Sequence, residues 1–262
     1  KILKKILKKI LNYFHHFINS TIPVLGINEY ESSGFLAQTD LKQFPLYLNR
    51  LKKGDFSIEA LPRVAVKIDD RSIYPALNDV AIFSSKSATL VEHVLRVNGE
   101  ELWHDSSDGL IISTPIGSSA YSMSAGGPAI YQNSKVFCIV SVNSLDNTRR
   151  PLIVPEDTLI EIDDISSGQR CEVVVDGKDR FKVDKTVICT KFSQPANVIR
   201  MKKDSTTVSA LAKKVKLADE LLNMPPSSKL LLKTLEYEGS LTQKELAEKT
   251  LLPDRTVRLA LS

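Results

Sequence analysis

Apolar pairs recur every four residues at the start of the chain: Ile2/Leu3, Ile6/Leu7, Ile10/Leu11, then Phe14. That spacing predicts a helix with one apolar stripe and a lysine face, packed on the sheet that follows. Residues 22–28, IPVLGIN, read as a short buried strand ending in glycine and a turn residue. Gly34-Phe35-Leu36 closes the next loop, and residues 38–54 (QTDLKQFPLYLNRLKKG) read as a helix. Helix alternating with buried strand is the texture of an α/β layer.

The pattern changes at Phe56. From there to Met201, period-two alternation dominates, in VAVKI, DVAIF, HVLRVNG, DGLIIS, VFCIVSV, TLIEID, CEVVVDG and TVICTKF. VNGE (residues 97–100) and VDGK (residues 175–178) carry the Asn-Gly and Asp-Gly signals of two-residue hairpins. Residues 205–222 form one helical stretch, ended by Pro225-Pro226. Ser227 and Ser228 can cap a further helix that stops at Gly239. LTQKELAEKT and LPDRTVRLALS are two short helices joined by a tight turn. The expected organisation is an α/β N-terminal part at 1–55, expected to be incomplete, and a β-rich domain at 56–201. A linker helix at 202–226 and a small all-α helix-turn-helix domain at 227–262 follow.

Composition narrows the classes. The chain has 262 residues, 42% hydrophobic and 25% charged, which suits an ordinary globular protein. No run of 18 apolar residues exists, so no membrane-spanning helix is expected. The chain does not begin with Met and its last residues stop inside a helical pattern, so both ends are expected to be incomplete. Cys138, Cys171 and Cys189 are far apart in apolar runs. They read as buried small hydrophobes in a reducing cytoplasm, with neither disulfide nor zinc spacing. The net charge of +4 is uneven: residues 1–16 hold five lysines and no acid, and residues 202–262 hold eleven basic against eight acidic side chains. A weakly basic tail permits nucleic-acid binding without requiring it. His15 and His16 are adjacent and so face different sides of a helix. They are not spaced as a metal pair, and no metal site is assigned.

The chemistry is concentrated in residues 108–128, DGLIISTPIGSSAYSMSAGGP. A buried strand runs into a loop of small and hydroxyl side chains. Gly117 and Ser118, with Gly126 and Gly127, let the backbone approach a ligand closely, and free N–H groups in such a turn can cradle phosphate. A generic Gly/Ser loop would be read as a turn and no more. The full string, however, resembles the signature of the NAD kinase (ATP-NAD kinase) family almost residue for residue. Ala76-Leu77-Asn78-Asp79-Val80 resembles the family's Asn-Glu/Asp motif, and residues 22–28 with Gly34-Phe35-Leu36 resemble its first-domain segment. Residues 150–155 (RPLIVP) and Val175-Asp176-Gly177 resemble later landmarks, so the likeness spans residues 11–201.

The resemblance implies an N-terminal α/β part and a β-rich NAD-kinase-type domain, with a dinucleotide held between them. It implies that Asn78 and Asp79 hold NAD, with Asp79 accepting ribose hydroxyls. Asp108 would bond the nicotinamide carboxamide or a neighbouring hydroxyl, and Ser119, Ala120, Tyr121 and Ser124 would line base and ribose. The implied reaction is phosphorylation of the adenosine-ribose 2′-hydroxyl of NAD, with ATP or another donor, Mg²⁺, and a homo-oligomeric enzyme. Lipid kinases of the same general fold fit these patterns less well. Three departures stand out. The family's Gly-Gly-Asp-Gly motif, whose Asp is the expected base, is not found, so no catalytic residue is assigned. Ile116 and Ser106 replace residues that are commonly hydroxyl or small, and basic, respectively. The loop at 29–33 is one residue longer than the usual form and lacks its glycine.

Residues 241–262 resemble the helix-turn-helix half of a winged-helix domain. Thr242 would cap the first helix, Leu246 and Ala247 would pack inward, and Arg255, Thr256 and Arg258 would face a DNA groove. The alternative function is therefore an NAD(P)-sensing DNA-binding regulator on a kinase-derived fold.

Overall fold

The computed structural model describes residues 20–28, 37–40, 44–86, 89–201, 241–250 and 252–261, with positions 212, 225, 227, 228, 231 and 234. The helix expected at the N-terminus, the loop at 29–36 and most of the stretch 202–240 lie outside the described residues.

Strand β1 (Gly26–Asn28) pairs in parallel with β2 (Ala37–Asp40), and helix α1 (Phe44–Lys52) follows. The helix expected from Gln38 therefore starts at Phe44. Residues 37–40 are drawn into the ladder of β1, and a tertiary pairing overrides the local helical pattern. Val24 forms an isolated bridge to Val198, which ties this N-terminal piece to the end of the β-rich region.

Between Ser57 and Arg200 nearly every regular element is a strand: β3 (Ser57–Leu61), β4 (Val64–Ile68), β5 (Arg71–Ser72), β6 (Asp79–Ser84), β7 (Val91–Val97), β8 (Glu100–Ser107) and β9 (Gly109–Ser113). A 3₁₀ turn at Gly117–Ser119 and the single-turn helix α2 (Tyr121–Ser124) interrupt it. Then come β10 (Val136–Val142), β11 (Leu152–Pro155), β12 (Ile160–Ser167), β13 (Cys171–Val175), β14 (Asp179–Val183), β15 (Val187–Lys191) and β16 (Ala196–Arg200).

Two six-stranded sheets result, ordered β11-β10-β9-β6-β13-β14 and β5-β4-β15-β12-β7-β8, while β3 and β16 form a separate antiparallel ribbon. The sheets share one core, with Val66, Ile160, Ile162 and Cys189 from one and Ile82, Leu110, Phe137 and Ile139 from the other. Each such fully buried Leu, Ile or Phe side chain is worth about 1.5–3 kcal/mol of burial. The first sheet also buries its outer face, where Ala81, Ile111, Cys138 and Val140 pack with Ile130 from the loop after α2. This double burial explains the continuous apolar runs GLIIS and VFCIV, while β4 and β15 of the second sheet alternate buried and part-exposed positions. All three cysteines are free and buried.

The described part of the tail holds helices α3 (Gln243–Thr250) and α4 (Asp254–Leu261). Thr242 caps α3 in a reciprocal arrangement. The Glu245 amide donates to Thr242 Oγ1 at 3.3 Å, and the Thr242 amide donates to the Glu245 carboxylate at 2.7 Å. Leu246, Ala247 and Val257 share a small core with Leu231, as the inward set predicts.

Candidate functional site

The outer face of the first sheet is left uncovered over part of β6, β10 and β13. There a cleft of about 560 Å³ opens, floored by Ala81, Phe83, Val142 and Val174. Asp79, Asp108, Tyr121, Asn143, Gly177, Lys86 and Arg180 stand around it.

Asp79 begins β6, and the residues just before it are fixed from two sides. On one side, the Asp176 carboxylate accepts hydrogen bonds from three successive amides: Leu77 (3.0 Å), Asn78 (2.7 Å) and Asp79 (3.2 Å). Asp176 reaches them from the turn between β13 and β14, where its φ of 51° and that of Gly177, 63°, make a hairpin of the kind the Asp-Gly pair predicts. On the other side, Thr114 Oγ1 donates to the Leu77 carbonyl at 2.7 Å, and the Thr114 amide donates to the Asn78 carbonyl at 2.9 Å. A Cβ at Gly117 would lie 1.8 Å from that same Asn78 oxygen, so only glycine fits there. Asp79 itself is 4% exposed, and burial, with the charge of Asp176 added, pushes its carboxyl up to about 7.

Asp108 leads into β9. Its Oδ2 accepts from Asn143 Nδ2 at 2.8 Å, and its amide donates to the Val142 carbonyl. Tyr121 stacks on Phe83 with ring centroids 5.6 Å apart, and burial pushes its phenol above the ordinary range. Lys86 lies just past the far end of β6, and Arg180 is ion-paired with Glu172 at 2.8 Å. The six residues of β6 span roughly 17–20 Å, so the cleft is long as well as apolar-floored. Such a surface suits a flat base on its floor, ribose hydroxyls on its carboxylates and phosphates near its cations.

Of the residues expected at the site, Asp79, Asp108 and Tyr121 line the cleft together. Asn78 lies one residue behind it, 9% exposed. Ser119 is half-buried with its hydroxyl donating to the Ile116 carbonyl, and Ala120 and Ser124 are exposed on either side of Tyr121, outside the lining of the cleft.

The amides of the expected phosphate cradle bond within the turn itself. The Gly117 amide donates to Thr114 Oγ1, Ser118 to the Thr114 carbonyl, Ser119 to Ile116 and Ala120 to Gly117. The Gly126 and Gly127 amides donate to the carbonyls of Met123 and Ser122. These donors are spent inside the turn, so they form no open nest. Ser118 is fully buried, donating to the Pro115 carbonyl and accepting from the Ile130 amide. The glycines serve packing and turning instead. Gly126 has φ +88°, and a Cβ on Gly127 would meet Ser122 Oγ at 2.5 Å. Ile116, a departure in the motif, packs with Leu77, Ala196 and Val198.

Sequence reasoning missed the roles of Asp176 and Asn143. Asp176 was visible as half of a turn signal, but nothing local says that its carboxylate holds residues 98 positions away.

Comparison with known proteins places the chain in a family. Residues 77–201 match the ATP-NAD kinase C-terminal domain. The NAD kinase of Methanopyrus kandleri is 35% identical over 179 residues, which cover 68% of this chain and 64% of that protein. The NAD kinase of Porphyromonas gingivalis strain W83 is 32% identical, covering 73% of this chain and 67% of its own. The chain thus spans about two thirds of the length of the curated relatives it matches. Among solved structures, an NAD kinase from Archaeoglobus fulgidus in complex with ATP superposes with a TM-score of 0.68 at 27% identity, covering 80% of this chain and 79% of that one. A yeast NADH kinase complexed with NADH shares the fold, with a TM-score of 0.70 at 24% identity over 79% of this chain and 62% of its own. With its signature loop built around a carboxylate-rimmed cleft, the chain belongs to the NAD kinase family.

Proposed function

We propose that this chain carries the dinucleotide-holding part of an NAD kinase, which transfers a phosphoryl group to the adenosine-ribose 2′-hydroxyl of NAD and so makes NADP. One observation carries the reading: residues 108–128 fold so that Asp108 and Tyr121 meet Asp79 over an apolar floor. The floor takes a base, the two carboxylates accept ribose hydroxyls, and Lys86 and Arg180 face the phosphates. Asn78, Ser119, Ala120 and Ser124 flank these groups along the chain, and their part in holding the dinucleotide rests on the resemblance of the signature segment. ATP is the assigned donor, as in the complex of the A. fulgidus relative. The Mg²⁺ that accompanies ATP is assigned to its phosphates. The protein's contribution is positioning and charge stabilisation. Its base, the Asp of the family's Gly-Gly-Asp-Gly motif, has no counterpart among these residues.

Incubation of the purified protein with NAD, ATP and Mg²⁺ should yield NADP, measured by enzymatic cycling. The absence of turnover with every phosphoryl donor tried, alongside retained NAD binding, would overturn the kinase reading in favour of a sensor.

A second reading, an NAD(P)-sensing DNA-binding regulator, is supported by the helix pair. On α4, Val257 is buried while Arg255 and Arg258 are exposed and Thr256 is half-buried, which leaves a basic face for a groove. Failure to shift any duplex DNA, with or without nucleotide, counts against it. The family resemblance supports a homo-oligomer and the cysteine pattern a cytoplasmic one, while the sequence pattern divides the chain into an α/β part at 1–55, a β-rich unit at 56–201, a linker at 202–226 and a helical unit at 227–262. Analytical ultracentrifugation of the full chain tests the assembly.

A further inference from the structure

We propose that Arg149 is a positioning residue for the dinucleotide cleft, acting through the loop at 143–149 on the carboxylate of Asp108. This inference rests on the proposed reading of the cleft.

The loop leaves β10 at Asn143, whose backbone is left-handed at φ 49°. It then runs back along the end of β8, the strand that leads into Asp108. Almost every step is fastened to that strand. Asn143 Nδ2 donates to Asp108 Oδ2 at 2.8 Å. Ser144 Oγ donates to Asp105 Oδ1 at 2.5 Å, and the Leu145 amide donates to the Ser106 carbonyl at 2.9 Å. Within the loop, Asp146 takes the amide and hydroxyl of Thr148, at 2.9 and 2.7 Å.

Arg149 closes the strap. Its guanidinium lies 4.6 Å from the Trp103 ring centroid. Nη2 donates to the His104 carbonyl at 3.2 Å and pairs with Asp146 at 3.1 Å, and Nε stands 3.7 Å from Asp105 Oδ1. The Arg149 side chain is 16% exposed and that of Asp105 only 1%, so this pair is shielded from solvent, while Asp146 is 41% exposed. One planar cation thus joins an aromatic face, a strand carbonyl and two carboxylates, a set a lysine cannot reproduce. Its anchor points fall on Trp103, His104 and Asp105, immediately before the segment that presents Asp108 to the cleft.

Asp108 therefore meets a ligand in an orientation set at both ends of the strap. Asn143 holds the carboxylate directly, and Arg149 holds the loop that carries Asn143. Without Arg149 the loop keeps only the Ser144–Asp105 and Leu145–Ser106 bonds to β8, and Asn143 holds less firmly the Asp108 rotamer that accepts a ribose or carboxamide donor.

The test is isothermal titration of NAD into the full chain and four variants: Arg149→Met, Arg149→Lys, Asn143→Ala and the double variant Asn143→Ala/Arg149→Met. Melting curves fix a temperature at which all are folded. Arg149→Met and Asn143→Ala should each bind about tenfold more weakly, the change expected for losing one well-oriented hydrogen bond to a charged group. The double variant should be no weaker than the weaker single, because both act through one carboxylate. Arg149→Lys should fall between Arg149→Met and the unmodified chain. Unchanged affinity in Arg149→Met with a lower melting temperature, or losses that add in the double variant, would overturn the inference. If Arg149→Met does not fold, Arg149→Lys and Asn143→Ala carry the same comparison. A chain that binds no NAD at all overturns the reading of the cleft itself, and this inference with it.

Discussion

Two hairpins of this protein are closed by the same device. Asn98-Gly99 joins β7 to β8 with φ values of 54° and 83°, and Asp176-Gly177 joins β13 to β14 with 51° and 63°. The first pair is a connection: Asn98 exchanges hydrogen bonds with Leu159, through its amide and its Oδ1, at 2.8 and 2.9 Å. The second is 9% exposed at its Asp, and that carboxylate gathers the amides of Leu77, Asn78 and Asp79 under the candidate cleft. A turn signal tells where the chain reverses. What its side chain does next depends on which segment the fold lays across it.

The sharpest way to break that contrast is Asp176→Ala. It leaves three buried amides without their acceptor, each costing about 1–3 kcal/mol. A total loss of about 3–5 kcal/mol is expected in urea denaturation, with NAD binding abolished. Asp176→Asn keeps the turn and one acceptor oxygen, so its loss should be about half as large.

Gly117→Ala attacks the same segment from the carbonyl side. The new methyl would stand 1.8 Å from the Asn78 oxygen, so backbone must move, and about 3 kcal/mol of stability should disappear. A melting curve that matches the unmodified protein would show that Asn78 is not pinned there.

The third prediction concerns pH. The folded state raises the Asp79 carboxyl from 3.8 to about 7. Between these values the folded chain keeps a proton that the unfolded chain has released. Stability from this group is therefore greatest below pH 3.8 and declines as pH rises toward 7. Asp79→Asn should flatten that slope in denaturation measured across pH 4.5–7.5, an interval chosen to bracket the titration of a carboxyl moved to about 7. NAD affinity should rise across the same interval in the unmodified chain, since the carboxylate is the better acceptor of ribose hydroxyls.

The smallest effect belongs to the plain hairpin. Asn98→Ala loses one hydrogen bond and places alanine at positive φ, a cost of about 1–2 kcal/mol, with NAD affinity unchanged. A loss equal to that of Asp176→Ala would erase the distinction between the two turns.

Much of the strand content was readable in the chain. VAVKI, DVAIF, VFCIVSV and CEVVVDG carry apolar side chains on faces that the sandwich buries, and each became a strand. Strands β8 and β14 were implied by the hairpin signals at Asn98-Gly99 and Asp176-Gly177, but neither shows in the alternation of apolar and polar residues. They are sheet edges, written EELWHDSS and DRFKV, and the charges that protect an edge also hide it from a hydrophobicity pattern. The helix expected from Gln38 was shortened because β1 recruited residues 37–40, a partnership no local window contains. At the site, Asp79, Asp108 and Tyr121 were named by their motif. The amides of the signature loop looked free until the 3₁₀ turn and α2 consumed them.

By itself, the sequence determined the local decisions: where the chain alternates, where Asn-Gly and Asp-Gly reverse it, where Thr242 caps a helix, and which loop belongs to NAD kinases. Those choices rest on side-chain periodicity and backbone preferences that act over a few residues. Tertiary structure alone decided that Asp176 would clamp Asn78 and Asp79, and that Arg149 would seat the loop beside Asp108. It also decided that Ser118 would be buried rather than offered to phosphate. Each of these is a pairing of groups distant along the chain. Burial makes such pairings strong, and burial exists only once the two sheets have closed.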